Sequence, residues 1–181
     1  PRRVLFGCPG AGGTRVGDGV HYIRIAKQTH TIGTADGSIP GELGLIKSLF
    51  EKAAFRTEVS SRMQAWLQVH AVFMAVVSAA IHGEGGDAAR LGANRKGVGA
   101  MVDAVREGLD ACRQLGIPIV PSNLKTIFLT MPRWFSVRYW QNALKGPTGT
   151  LAMAPHVNAA TGEMRLIARK VLSFVHSSRV A

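Results

Sequence analysis

The sequence predicts a mainly α chain, α+β overall, and three observations carry that expectation. Short apolar runs between glycine-rich turns fill residues 1–59, as strands would. From residue 60 onward apolar side chains recur at spacings of three and four, the period of one helical face. A length of 181 residues, 46% hydrophobic and 18% charged, suits a packed domain and is too apolar for a disordered tail.

Val4, Leu5 and Phe6 read as a short strand running into a loop over residues 7–13, where four glycines permit backbone angles other residues avoid. Residues 20–26 (VHYIRIA) alternate apolar and polar, which predicts a half-buried strand, and residues 30–33 (HTIG) predict a third. Asp36-Gly37 supplies a turn. Ser38 then reads as a cap and Pro40 as a first-turn residue of a helix with Leu43, Ile46, Leu49, Phe50 and Ala53 on one face. Residues 55–59 (FRTEV) alternate again, a last strand.

Ser61 and Gln64 have the spacing of a capping box, and residues 63–81 are nearly all apolar. Such a helix is predicted to be buried on most sides, as the centre of the core. Residues 82–97 hold five glycines and read as a loop. Residues 98–115 are amphipathic through Met101, Val102, Val105, Leu109, Cys112 and Leu115, and stop at Gly116 with Pro118 beyond. Residues 124–144 predict an aromatic-rich helical region broken at Pro132. Residues 146–155 read as a loop. Asn158 is placed as the cap of a final helix through Met164, Ile167, Ala168, Val171, Leu172 and Val175.

The charge balance is 22 Lys+Arg against 11 Asp+Glu, or +11, which raises the prior for a polyanionic partner. The basic residues are scattered, however, from Arg2, Arg3, Arg15, Arg24 and Lys27 to Arg165, Arg169 and Lys170, and no run reaches four. No aromatic-interleaved RNA-recognition motif is present, so a nucleic-acid partner ranks last. Cys8 and Cys112 lack C-x-x-C spacing, which excludes a disulfide framework or zinc ribbon. The longest apolar stretch, residues 69–81, is 13 long and interrupted by His70, short of the ~20 residues that span a bilayer. With no signal-peptide pattern, the expectation is a cytoplasmic protein with no membrane partner.

Residues 10–15 (GAGGTR) look at first like a dinucleotide fingerprint. That motif needs a helix to start at its glycines and aim its N-terminus at the pyrophosphate. Here Arg15 stands at the third glycine and a strand follows, so the stretch reads as a turn or interdomain loop. The nucleophile elbow, H-E-x-x-H and the P-loop are absent. His82-Gly83-Glu84 lacks the P-C-x-x-C of a zinc deaminase, and no metal site is expected. Trp66, Met74 and Cys112 are most simply core. His70 on the buried helix is more often a satisfied core histidine than a base. His156 and Glu163, seven residues apart, share a side only if the last helix reaches back that far; Glu163 would gain from the helix dipole. A solvated first-turn acid is the plainer alternative for Glu163.

The order of segments resembles the C-terminal part of the ketopantoate reductase (2-dehydropantoate 2-reductase) family. VLFGCPGAGGT, the strands ending in HTIG, RMQAWLQVHA, VREGLDACRQLGIPIVPSNL and HVNAATGEMRLIA carry the resemblance over roughly residues 4–175. The resemblance implies a helical C-terminal domain of the 6-phosphogluconate-dehydrogenase-like type over residues 60–181, which binds substrate and forms a homodimer. Residues 1–59 would be the terminal strands and helix of a truncated Rossmann domain, without its nucleotide-binding βαβ unit. Pro1 in place of an initiator methionine accords with a piece of a longer chain.

The family reaction, by that resemblance, reduces a small anionic 2-keto acid to a 2-hydroxy acid with NADP(H) held by the missing half. This chain alone is expected neither to bind NADP(H) tightly nor to reduce a substrate. The family places a lysine two residues after a tryptophan, then asparagines one and two turns on. Anchoring on Trp66 puts Gln68 at the lysine position, with Val72 and Val76 at the asparagines. A shift of two puts Trp66 at the lysine and His70 at the first asparagine. Neither register supplies a lysine, and Gln68 donates a hydrogen bond but delivers no proton as an ammonium does. Thr150 falls at a substrate-binding hydroxyl, Glu163 at the family glutamate, and His156 beside it. Two other functions stay open: a non-enzymatic homodimeric helical interaction module, and a basic nucleic-acid binder.

Overall fold

A computed structural model describes residues 4–25 and 28–178. Among them the chain is mainly helical with a small β component. In order, β1 (Phe6–Cys8), β2 (Ala11–Val16), β3 (Gly19–Arg24) and β4 (His30–Gly33) precede α1 (Gly41–Lys52) and β5 (Thr57–Val59). Then follow α2 (Met63–Gly83), α3 (Ala88–Ala93), α4 (Arg95–Gln114), α5 (Ser122–Lys125), α6 (Arg133–Lys145), α7 (Ala154–Ala159) and α8 (Thr161–Ser178). Two π-helical turns, Thr126–Thr130 and Thr148–Met153, lead into α6 and α7.

Strands β1, β4 and β5 form one sheet, with β4 central, antiparallel to β1 and parallel to β5. All four residues of β4 are buried. His30 on that strand accepts the Gly10 N–H at Nδ1, 3.0 Å away, between the rings of Phe50 and Phe55. Burial lowers its pKa.

Residues 11–13, expected to continue the loop, instead belong to β2, which pairs with β3 as a separate hairpin. Glycine suits a strand where another backbone comes close. A Cβ on Gly12 would strike Ala152 of the second π-turn, so Gly12 lets the hairpin lie directly on the helical part. The alternation of residues 20–26 does not bury the hairpin: Val20 and Tyr22 are exposed, and Ala26, like Lys27, Arg2 and Arg3, lies outside the described residues.

In α1, Leu43 is buried and Ile46 and Phe50 half-buried, whereas Leu49 and Ala53 face out. Ser38 does not cap it: its N–H and hydroxyl donate to Asp36, and the helix starts after Pro40 without a side-chain cap. The Ser61–Gln64 capping box is likewise not formed. Arg62 holds the N-cap position of α2 without a side-chain cap, and Ser60 Oγ accepts the Arg62 N–H.

Helix α2 is the centre of the core, as its composition predicts. Val69, Val72, Val77 and Ile81 are buried with Val98, Val102, Val105, Leu109 and Cys112 of α4 and with Met164 of α8. By length and hydropathy α2 also qualifies as a membrane span, which the count of 13 apolar residues missed; half of that window is buried inside the protein. Helix α4 ends as expected: Gly116 takes φ +72° and the Ile117 N–H returns to the Cys112 carbonyl.

The expected loop at residues 82–97 contains α3, started by the Asp87 carboxylate accepting the Arg90 N–H, and Asn94 caps α4 through Gly97. The break at Pro132 is present between the first π-turn and α6. The expected loop at residues 146–155 is instead the second π-turn and the start of α7. Asn158 caps nothing. It sits inside α7 and its Nδ2 donates to the Gly86 carbonyl, 2.9 Å away, while α8 begins at Thr161.

Candidate functional site

The segment after β3 and the helices meet over a cavity of about 400 Å³. Ile25 and Gln28 close it from the strand side, Trp66, His70 and Phe73 from α2, and Tyr139, Trp140, Asn142 and Ala143 from α6. Leu124 and Ile127 form one edge, and Thr148 and Met153 of the second π-turn the other. Trp66, His70 and Phe73 share a face because they follow at four and three along α2.

Five aromatic rings, those of Trp66, His70, Phe73, Tyr139 and Trp140, contribute to the wall. Trp66 stacks on His70 with centroids 4.8 Å apart, Phe73 lies 5.3 Å from Trp140, and Tyr139 meets Trp140 edge-on at 5.4 Å. Both indoles are buried, and neither the Trp66 nor the Trp140 Nε1–H has a hydrogen-bond acceptor. An unsatisfied buried donor costs about 1–3 kcal/mol.

His70 is the central polar group. Burial first, and the charge of His156 second, push its pKa down to about 4, so near neutral pH its ring is uncharged. A neutral imidazole carries one donor and one acceptor. It can hold a carbonyl oxygen by hydrogen bond, but it holds no proton to deliver as an imidazolium. Gln28 donates to the Pro9 carbonyl and Asn123 accepts the Leu124 N–H, so both lining groups are partly engaged within the protein. No Lys, Arg, Asp or Glu lines the cavity among the described residues.

The residues singled out from the sequence are only partly brought together. His70 is at the cavity, and His156, exposed on α7, is close enough to act on its charge. Gln68 is not: it is exposed and borders a separate shallow groove with Asp36, Arg62 and Pro118. A residue two positions after Trp66 points about 200° around the helix, which is why the register through Gln68 turns away from the cavity. Glu163 is exposed in the first turn of α8 and does not line the cavity. Because the helix breaks at Ala160 (φ −111°, ψ 35°), His156 and Glu163 belong to different helices and share no continuous face. Thr150 is exposed and its hydroxyl donates to the Gly146 carbonyl; Thr148 is the residue of that turn at the cavity.

Tyr139, Trp140 and Asn142 line the cavity but were not among the expected site residues. The aromatic density of residues 128–140 was the one signal for them, and it reads equally as core. Cys112 is core, and burial pushes its thiol up to about 11. No group of three His, Cys, Asp or Glu suited to a metal occurs among the described residues. No protein-family model matches the chain, and no curated protein does.

Proposed function

We propose that this chain is the substrate-binding part of a ketopantoate reductase-like, NADP(H)-dependent oxidoreductase, with the cavity lined by Ile25, Gln28 and the helices as its carbonyl-substrate site. The observation that carries the reading is the position of that cavity. It lies where a strand-rich unit meets the helix bearing Trp66 and His70, as the family division at residues 59 and 60 implies.

The cofactor fits poorly on the described residues. A dinucleotide cradle needs a helix N-terminus after its glycines, and here β2 passes through the Gly17-Asp18 turn into β3. NADP(H) is therefore assigned to another part of the protein, and no step is derived through it. What this chain contributes is binding: aromatic walls that exclude water, and a neutral His70 able to donate one hydrogen bond to a carbonyl oxygen.

A second feature supports the adjoining domain. Among the described residues, 13 large apolar side chains remain exposed, and seven of them (Val4, Val16, Val20, Tyr22, Ile39, Leu45 and Leu49) lie on the strand-rich part. The interaction-module reading has its own support in an apolar groove between α2, α4 and α8, lined by Ala79, Ala100, Ala104 and Leu172.

The test uses the polypeptide made from the whole open reading frame in which this chain occurs. NADPH oxidation is followed with a panel of 2-keto acids and their esters. Turnover that falls at least about tenfold in Trp66→Ala and His70→Ala, with NADPH affinity unchanged, is the expected result. No NADPH binding, or no oxidation with any carbonyl, would overturn the proposal.

A further inference from the structure

The chemistry of the cavity wall points to a narrower substrate class than the family resemblance implies. We propose that the cavity selects an uncharged 2-keto carbonyl compound with a bulky aromatic or apolar group, such as a 2-keto ester or amide, over a small 2-keto-acid anion. This rests on the reading of the cavity as the carbonyl-substrate site.

Three observations lead there. First, no charged side chain is among the described residues of the wall. The chain carries +11 overall, yet no lysine or arginine is among the described lining residues. A carboxylate placed there would lose its hydration without a cationic partner, which is among the least favourable burials a protein can make. His70 offers little relief, because burial and His156 hold it uncharged near neutral pH. The scattered surface charge steers anions towards the molecule in general but does not compensate that local loss.

Second, the wall is aromatic. Trp66, Phe73, Tyr139 and Trp140 present faces and edges against which a flat ring packs in the offset or edge-on geometries that rings prefer. Third, size agrees. A volume of about 400 Å³ lies in the roughly 300–1,000 Å³ range of ligand pockets, and a small branched keto acid would leave part of it empty.

Isothermal titration calorimetry on the 181-residue chain at neutral pH tests this with three probes: methyl benzoylformate, benzoylformate and 2-ketoisovalerate. The first two share ring and keto group and differ in charge. We expect the ester to bind at least about tenfold more tightly than benzoylformate, with 2-ketoisovalerate weakest. Ala143→Leu and, independently, Thr148→Leu reduce the open volume and should each weaken the ester about tenfold or more while the circular dichroism spectrum is retained. If benzoylformate or 2-ketoisovalerate binds as tightly as the ester, and the two variants weaken it, the selection for uncharged compounds is wrong and the carbonyl site stands. If no probe binds, or binding ignores both variants, the carbonyl-site reading falls and the inference with it.

Discussion

Acidification should destabilise this protein through His70, and the size of the effect follows from its surroundings. The ring is stacked on Trp66 and largely removed from water, and its pKa falls from 6.5 to about 4, chiefly through burial. A folded-state value below the unfolded one means that the unfolded chain takes up the proton first as pH falls. The stability linked to His70 is thus fully present above about pH 6.5 and is lost between there and about pH 4. Integrating that difference gives a loss of about 2 kcal/mol between about pH 8 and about pH 5, and about 3 kcal/mol at the acid limit. Urea unfolding followed by circular dichroism across this window measures it. His70→Gln cannot titrate, so its stability should fall about 2 kcal/mol less over the same interval. His30, whose pKa is also lowered by burial, acts in the same direction in both proteins and cancels in the comparison. Parallel decline of the two proteins would refute the assignment of His70 as a buried neutral group.

Three further outcomes are expected. Gly12→Val should lose about 1–3 kcal/mol by urea unfolding, because its side chain would collide with Ala152 and lift the hairpin from the second π-turn; an unchanged midpoint would mean that the hairpin does not rest there. Ala54, in the left-handed region at φ 60° just after α1, occupies a position that favours glycine, so Ala54→Gly should gain up to about 1 kcal/mol in the same assay. Asn158→Ala should cost about 1 kcal/mol through loss of its bond to the Gly86 carbonyl, and Asn158→Asp should not restore it because a carboxylate has no proton to donate.

The helical part was largely legible in the sequence because its signals are local or strictly periodic. The apolar run of α2, the amphipathic spacing of α4, the stop at Gly116 and the break at Pro132 all have local physical causes and all stand in the structure. Two of the failures depended on partners distant in the chain. Ala11–Val16 is a strand because residues 19–24 pair with it, and Gly12, lacking a Cβ, leaves room for Ala152. Asn158 has the chemistry of a cap, but the Gly86 carbonyl, 72 positions away, claims its amide.

The candidate site was legible in one face of one helix. Trp66 and His70 are four apart and reach the cavity, whereas Gln68, chosen by counting from Trp66, points elsewhere. Glu163 and His156 would share a side only on one continuous helix, and the break at Ala160 separates them. Tyr139, Asn142 and Thr148 come to the cavity by the packing of α6 and the second π-turn, which no short-range pattern encodes.

The most direct test of the cavity as a ligand site uses its own tryptophans. Of the three in the chain, Trp134 is exposed, while Trp66 and Trp140 both line the cavity, so a Trp134→Phe variant reports from the cavity alone. Titrating that variant with methyl benzoylformate should quench its emission to a plateau, with the same midpoint as the calorimetric titration. Quenching that rises linearly without saturation, as from random collisions in solvent, would contradict a ligand site there.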